Sequence, residues 1–202
     1  MFSFNPENNT ERENYKLLIG SVVPRPIAFV TTVAEDGTVN GAPFSYFNVI
    51  SSNPPLLSVS IQRKNGIVKD TARNILENKE YVIHIVDDNN VNEINTTAAS
   101  LPPNESEIQK ANLTLVESEQ VSVPGIRESK VRFECILKYS LELDENNSVG
   151  SDLLIGKVVR FHIDKEIYQD GKINPHLLGP ISRLAGSDYA KIGEVFSIER
   201  PK

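Results

Sequence analysis

The stretch NGAPFSYFNVISSNPPLLSVSI, from Asn40 to Ile61, decides the fold, together with VPRPIAFVTT, from Val23 to Thr32, just before it. The pattern predicts two strands joined around a bend. Pro43, Pro54 and Pro55 lack the amide hydrogen that a sheet ladder needs. We therefore expect edges or bulges in this part of the sheet.

Small polar side chains and aromatic rings are interleaved in the same stretch. The polar residues are Ser45, Asn48, Ser51, Ser52 and Asn53, and the aromatic residues are Phe44, Tyr46 and Phe47. This mixture suits a flat heteroaromatic ligand with polar edges that lies against strand backbone. A hairpin with a proline-rich turn would have the same composition, and the local sequence leaves both interpretations open.

Length and composition indicate an ordinary globular protein. The chain has 202 residues, which predicts one domain over 1–202 with a substantial core. The net charge is -6, which argues against a nucleic-acid partner. The first fifteen residues lack the basic and apolar regions of a signal peptide, and no apolar run is long enough to cross a bilayer. We expect a cytoplasmic protein without a membrane partner.

The single cysteine, Cys135, lies in an alternating, strand-like run, VRFECILKYSLEL. One cysteine cannot form an intrachain disulfide, and a reduced structural thiol is the expected state. The three histidines show no metal-ligand spacing, so no metal site is predicted.

Hydrophobic patterning predicts many strands and a few short helices. The predicted strands are Ile27–Val33, Gly41–Val49, Leu56–Gln62, Tyr81–Val86, Leu113–Glu117, Val131–Leu143 and Leu153–Ile163. The predicted helices are Asn14–Gly20, Thr71–Glu77, Asn90–Ala99 and Glu105–Ala111, with a break at Leu101–Asn104. A hairpin turn is expected at Glu35–Gly37, a bulge at Gly156, and loop structure in the tail from Ile173.

This arrangement favours a closed or partly closed antiparallel barrel over a doubly wound parallel sheet. The chain has neither a G-x-G-x-x-G nor a P-loop motif. A nucleotide cofactor would therefore bind without a Rossmann unit or a P-loop.

A cluster of cations follows the third predicted strand. Arg63, Lys64 and Lys69 precede Asp70, the predicted N-cap, and Thr71, whose hydroxyl lies at the start of the next helix. A helix N-terminus with nearby cations can bind a phosphate. A solvated basic loop with an ordinary N-cap explains the same residues.

The histidines give no catalytic signature. His84 and His162 lie in predicted strands, where either could line a cavity or make a hydrogen bond in the core or at the surface. His176 lies in the predicted tail loop and is freer to meet a ligand. No Ser-His-Asp or Cys-His arrangement is visible. The sequence identifies no catalytic residue, and a cofactor would carry out the chemistry of any enzyme built on this chain.

Three segments, VPRPIAFVTT, DGTVNGAPFSYFNVISSNPPLLSVSI and KDTARNI, occur in this order along the chain. Together they resemble the flavin reductase-like, FMN-binding split-barrel family, which includes flavoredoxin-like proteins. The resemblance extends from about Gly20 to Tyr189. It implies a mainly β fold, a six-stranded Greek-key antiparallel split β-barrel with flanking helices. It also implies a homodimer that binds FMN near the subunit interface.

The resemblance implies a set of cofactor-binding residues. Those beside the isoalloxazine ring would be Ala42, Pro43, Phe44 and Ser45. Those at the ring edge or the ribityl chain would be Asn48, Ser51 and Ser52, and those at the phosphate would be Lys64, Lys69 and Thr71. Arg25 would be fixed near the dimer-facing end of the pocket. The residues that would cover the ring or guide a nicotinamide are His176, Arg183 and Tyr189.

The sequence departs from the family pattern at Leu184-Ala185-Gly186, where two glycines are expected after the leucine. An alanine fits there unless the position requires a positive φ.

Three functions remain open at this point. The first is an FMN-dependent oxidoreductase that passes hydride from NADH or NADPH to flavin. The second is an FMN-binding electron carrier of the flavoredoxin type, without nicotinamide nucleotide activity. The third is a structural barrel dimer that has lost its cofactor.

Overall fold

A computed structural model of the chain describes residues 1–98, 106–145 and 148–201. A 3-10 turn at Pro6–Asn8 precedes the helices α1 (Glu11–Ser21), α2 (Asp70–Asn78), α3 (Val91–Thr96), α4 (Glu107–Lys110) and α5 (Pro175–Leu178). The strands of the first half are β1 (Arg25–Pro26), β2 (Ala28–Val33), β3 (Val39–Phe44), β4 (Phe47–Ser52), β5 (Pro55–Gln62) and β6 (Glu80–Ile85). Those of the second half are β7 (Leu115–Val116), β8 (Gly125–Ile126), β9 (Val131–Glu145), β10 (Ser148–Ile163), β11 (Tyr168–Gln169), β12 (Lys172–Ile173), β13 (Ile181–Arg183) and β14 (Tyr189–Lys191).

The main sheet is antiparallel, with the strand order β3-β2-β6-β9-β10-β5-β4. The prolines lie where a missing amide hydrogen is tolerated: Pro43 is on an outer strand and Pro55 begins β5. The β4–β5 pairing also shifts register between Val49 and Ser51. The expected edges and bulges are confirmed, as is a mainly β, antiparallel fold.

The prediction of one strand over Gly41–Val49 is wrong. The chain turns at Ser45 and Tyr46, so this segment is divided between β3 and β4. Because β4 folds back onto β5, it adds a seventh strand at the edge of the sheet.

Alternate residues of the strands supply two apolar clusters on opposite faces of the sheet. Val30 points into the inner cluster with Val59 and Tyr81. Its neighbour Phe29 points into the outer cluster, where it packs with Ile94 and the other residues beneath α3 and α4. The predicted bulge at Gly156 is confirmed by a register shift between β9 and β10.

The helices differ from prediction mainly at their ends. The predicted helix Asn14–Gly20 lies within α1, which starts earlier because Thr10 and Glu13 form a capping box. Asp70 is not the N-cap of α2: Lys69 is, and it makes no side-chain capping bond. The Asp70 carboxylate instead lies 2.6 Å from the Arg73 guanidinium.

The predicted helices over Asn90–Ala99 and Glu105–Ala111 correspond to the shorter α3 and α4. The predicted break at Leu101–Asn104 lies outside the described residues, as do Ala99 and Glu105. Cys135 is a free, fully buried thiol, as predicted. None of the helices in the described ranges has both the length and the apolar character needed to traverse a bilayer.

The tail is more ordered than predicted. It contains short strands and α5, so His176 lies in a helical turn that Asn174 caps. β13 pairs with both β1 and β14. Local periodicity could not reveal this, because the partner strand lies at the other end of the chain and each strand has only two or three residues.

Candidate functional site

Two adjoining cavities lie where β3 meets the start of α2. The larger has a volume of about 570 Å³, and its predicted site residues are Ala42, Pro43, Phe44, Lys64, Lys69 and Thr71. The smaller has a volume of about 160 Å³, and its predicted site residues are Arg25, Pro43, Phe44, Ser45 and Lys69. Pro43, Phe44 and Lys69 line both cavities, so the two are neighbours across these side chains.

Lys64 and Lys69 concentrate positive charge in the larger cavity. Burial lowers the pKa of Lys69, and the positive charge of Lys64 lowers it further. The Lys69 ammonium lies 5.8 Å from the centre of the Phe44 ring. Among the residues that the structure describes, no carboxylate forms an ion pair with either lysine. An anionic ligand would therefore relieve the repulsion between the two ammonium groups.

The N-terminus of α2 opens into the same cavity. Since Lys69 makes no side-chain capping bond, no cap side chain takes up the amide groups of the first turn. Thr71 places a hydroxyl beside these groups in the first turn, and it is buried. Backbone amides, a hydroxyl and two ammonium groups together form a suitable environment for a phosphate.

Asn40 organises the wall of this cavity. Its Oδ1 accepts a hydrogen bond from Thr71 Oγ1 at 3.0 Å, and its Nδ2 donates to Glu107 Oε2 at 3.1 Å. Burial raises the pKa of Glu107. Sequence reasoning missed Asn40 and Glu107 as site residues. Asn40 is a polar residue directly before the predicted strand Gly41–Val49, which was a usable signal, but nothing local marks Glu107.

Arg25 lies at the rim of the smaller cavity and is buried. Its guanidinium donates to the carbonyl oxygens of Ile19 and Val22 at 2.7 and 2.6 Å, and to that of Leu184 at 2.9 Å. Its Nε is buried without a partner. Arg25 thus joins the end of α1 to the segment that follows β13, and both segments line the cavity.

Arg183 also lines the smaller cavity, as predicted for a residue near the ring, whereas Asn48, Ser51, Ser52 and His176 line neither cavity. Asn48 and Ser52 are exposed on β4, and Ser51 is half-buried there. The Asn48 and Ser51 side chains accept hydrogen bonds from the amides of Val49 and Asn53 at 2.8 and 3.2 Å. His176 is exposed on α5. Its predicted role in flavin binding stays a prediction, like those of the three β4 residues.

Arg63 does not contribute to the cluster of cations that the sequence suggested. It bonds to Asp152 through Nε at 2.9 Å and through Nη2 at 2.6 Å, and Nη2 also contacts Glu142 at 2.5 Å. These carboxylates raise the pKa of Arg63. They also turn the guanidinium toward β9 and β10.

Two histidines are held by hydrogen bonds rather than free in a cavity. His84 is fully buried, its Nδ1 is 3.0 Å from the Phe29 carbonyl, and its Nε2 accepts from the Ile126 amide at 2.9 Å. Burial lowers the pKa of His84 to about 3, so the ring is neutral. His162 Nε2 lies 2.5 Å from Glu134 Oε1.

The segment after β13 closes over the smaller cavity. Gly186 has a φ of +58°, whereas Ala185 is not among the residues with positive φ. The alanine that departs from the family pattern is therefore accommodated. The Arg183 guanidinium lies 4.4 Å from the centre of the Tyr189 ring, and Tyr189 Oη donates to Asn95 Oδ1 at 2.9 Å.

The family model for the flavin reductase-like domain matches residues 19–177. The chain belongs to the flavin reductase-like family. The uncharacterized protein YwrF of Bacillus subtilis (strain 168) is 52% identical over 204 residues, covering 100% of both chains. The crystal structure of nitrilotriacetate monooxygenase component B from Bacillus cereus has a TM-score of 0.96 at 55% identity, covering 98% of each chain. A Shewanella frigidimarina NCIMB 400 protein with a split barrel domain has a TM-score of 0.85 at 20% identity over the whole of both chains. The predicted split-barrel fold is confirmed.

Family membership points to a flavin as the cofactor class, and the residues present fit such a group. The larger cavity offers unpaired ammonium groups and open backbone amides for an anionic end. The outer strand β3, with Ala42, Pro43 and Phe44, offers apolar surface for a ring.

Proposed function

We propose that this member of the flavin reductase-like family is an FMN-dependent oxidoreductase that transfers hydride from NADH or NADPH to flavin. The observation that supports FMN is the cationic cavity at the open N-terminus of α2, which suits a single terminal phosphate. Bound FMN would accept hydride at its isoalloxazine ring, and the chain would supply position and electrostatics.

The proposal gives each part of the cavity a separate task. Lys64, Lys69 and Thr71 hold the phosphate. The Thr71 hydroxyl has a single hydrogen, which it donates to Asn40 in this structure and would donate to the phosphate once FMN is bound. Pro43 and Phe44 place the ring beside β3 and exclude water from one of its faces. Arg25 acts as a positioning residue, because three of its donors are taken by carbonyl oxygens of the chain.

We also propose that the functional form is a homodimer. The exposed residues Tyr139, Leu141 and Leu143 alternate along β9 and therefore share one face. In the sheet register, Tyr139 lies opposite Ile155, Ile155 opposite Ser58, and Ser58 opposite Asn48. A second copy on this apolar face would bring its own residues close to Asn48, a predicted ring-edge contact.

The Bacillus cereus relative supports a role in delivering electrons. That protein is component B of a nitrilotriacetate monooxygenase. By analogy, we propose that reduced flavin formed on this chain is passed on to a separate oxidising component. We further propose that residues 1–202 form one domain and that the protein acts in the cytoplasm, where its thiol remains reduced.

Anaerobic reduction tests the proposed function. We expect the purified protein to bind FMN, and we expect NADH or NADPH to bleach the visible absorbance of the flavin, on the order of one equivalent of nucleotide for each flavin. If FMN binds but neither nucleotide reduces it, the reductase proposal fails and the electron-carrier function replaces it. If FMN does not bind at all, both flavin functions fail.

A further inference from the structure

A third cavity lies on a different part of the molecule, where the start of β9 meets the end of β10. Its volume is about 400 Å³. The lining residues that matter here are Arg127, Ser129, Arg132, Phe161, His162 and Asp164. None of them lines either of the two cavities beside α2.

Two guanidinium groups reach this third cavity without an acceptor. Among the described residues, neither Arg127 nor Arg132 makes a side-chain hydrogen bond or an ion pair, although Arg132 is only partly exposed. Burial lowers the pKa of Arg132, so its charge is incompletely solvated. Lys130 also lines the cavity, but its ammonium already bonds the carbonyl oxygens of Leu177 and Leu178 at 3.0 and 3.1 Å.

Among the described residues no carboxylate forms an ion pair with Arg132, although the charges of Glu134 and Glu119 partly oppose the lowering of its pKa. Both oxygens of Glu134 are engaged: Oε1 by His162 and the Glu119 amide, and Oε2 by the Gln120 amide. Glu119 is itself paired with Arg160 at 2.6 Å. Oδ1 of Asp164, the acidic residue in the lining, accepts from the Glu166 amide at 2.8 Å. The N–H donors of the Arg132 guanidinium are therefore available to a bound ligand.

The rest of the lining suits a ligand with an apolar or aromatic part. Phe161 is 53% exposed, although its ring packs edge-on against Phe133 with ring centres 5.6 Å apart. Ser129 is buried, and its hydroxyl already accepts from Asn90 Nδ2 at 3.3 Å, so its own hydrogen is available to a ligand.

We propose that this third cavity binds a small phosphate ester with an aromatic or apolar body. Arg127 and Arg132 hold the phosphate, for which guanidinium groups are geometrically suited, and Ser129 donates a further hydrogen bond. The aromatic part lies against Phe161. The site is separate from the proposed flavin cavity, and the inference does not depend on the flavin function.

Phenyl phosphate is the probe that tests this site, with titration calorimetry in a phosphate-free buffer. We expect the purified protein to bind phenyl phosphate more tightly than inorganic phosphate or benzoate. Arg132→Gln should weaken binding by about tenfold or more, which is the loss of at least one charge-assisted contact. Arg127→Gln should act in the same direction, and since Arg127 is exposed this variant is expected to fold normally.

Two further variants test whether phenyl phosphate binding depends only on the overall charge of the protein, or on the cavities beside α2. Arg12→Gln removes an identical charge from the exposed face of α1 and should leave phenyl phosphate affinity unchanged. Because the cavity beside α2 also suits a phosphate, the titration is repeated in a Lys69→Ala background, where the loss of affinity caused by Arg132→Gln should be as large as in the parent chain. The assignment is overturned if phenyl phosphate does not bind, if Arg12→Gln weakens it as much as Arg132→Gln, or if only Lys69→Ala weakens it. If benzoate binds as tightly as phenyl phosphate, the proposal that the cavity recognises a phosphate group is overturned.

Discussion

Gly156 occupies a position in β10 where no side chain fits. A Cβ atom there would lie 1.9 Å from Tyr81 Oη, and Tyr81 is a large, fully buried residue of the inner cluster. The side chain of Tyr81 therefore fills the space that the glycine leaves, and the pairing of β9 with β10 shifts register at this position.

We expect Gly156→Ala to lower the free energy of unfolding by about 1–3 kcal/mol, because the buried ring must move. Gly150→Ala is the matched control in the same strand. Its Cβ would come no nearer than 3.9 Å to another atom, the Leu143 carbonyl oxygen. Urea denaturation measures both variants, and equal midpoints would contradict the expected clash.

His84 makes the stability of the fold sensitive to acid. Its pKa is lowered to about 3 in the folded chain, below the ordinary value of 6.5. The unfolded chain takes up a proton first as the pH falls, so the stabilisation is complete above pH 6.5 and is lost progressively toward pH 3. We expect about 2 kcal/mol of this loss between pH 6.5 and 5.

Unfolding free energies measured across this pH range test the assignment. His84→Gln should flatten the pH dependence even if it lowers overall stability. His176→Gln removes an exposed histidine and should leave the slope as it is in the parent chain. An unchanged slope in His84→Gln would show that another group controls the acid sensitivity.

At the scale of the elements, variants at the start of α2 test whether this helix binds the phosphate of FMN. We expect Lys69→Ala and Thr71→Ala together to weaken FMN binding by tenfold or more and riboflavin binding far less. Charge-assisted hydrogen bonds contribute about 1.5–3 kcal/mol each, and riboflavin has no phosphate to receive them. Fluorescence titration with both ligands measures the difference.

Lys165→Ala is the control for the loss of one positive charge, since Lys165 is exposed and lies outside the cavity lining. It should bind both flavins as the parent chain does. Equal losses of FMN and riboflavin in the double variant would place the phosphate elsewhere.

The start of α2 shows which local features a sequence can predict. The helix and its cluster of lysines were visible, because residue types and spacing encode them. The prediction of Asp70 as the N-cap residue was wrong. An aspartate is a favoured N-cap, but Asp70 instead lies close enough to Arg73 to form an ion pair within the helix. The turn at Ser45 and Tyr46 was missed because neither residue is a glycine or proline.

In the molecule as a whole, the apolar face of β9 is the feature that most directly bears on assembly. Leu141 is 58% exposed and lies opposite Leu153, whose side chain shares its face. We expect Leu141→Asp to convert the proposed dimer to a monomer, because a buried, unpaired carboxylate is strongly unfavourable. Light scattering coupled to gel filtration measures the mass.

Asn92→Asp adds the same charge on the exposed side of α3 and should leave the mass unchanged. A parent chain that is already a monomer would refute the dimer. A dimer that persists in the Leu141→Asp variant would show that the subunit interface lies on another surface.

The barrel class followed from strand periodicity and from the resemblance of three short segments. The complete site could not be predicted in this way, because its residues come together through contacts between distant parts of the chain. Glu107 reaches Asn40 across 67 residues, and Leu184 reaches Arg25 across 159. Neither Glu107 nor Leu184 is distinctive in type or spacing, so only the fold shows that they belong to the site.

The contact between Arg25 and Leu184 also bears on how the protein is made. A ribosome releases the chain from its N-terminus, so Arg25 emerges long before the carbonyl oxygen that completes its set of partners. The rim of the smaller cavity can close only when Leu184 has been synthesised and has left the ribosome. We therefore expect nascent chains that end before Leu184 to retain no flavin.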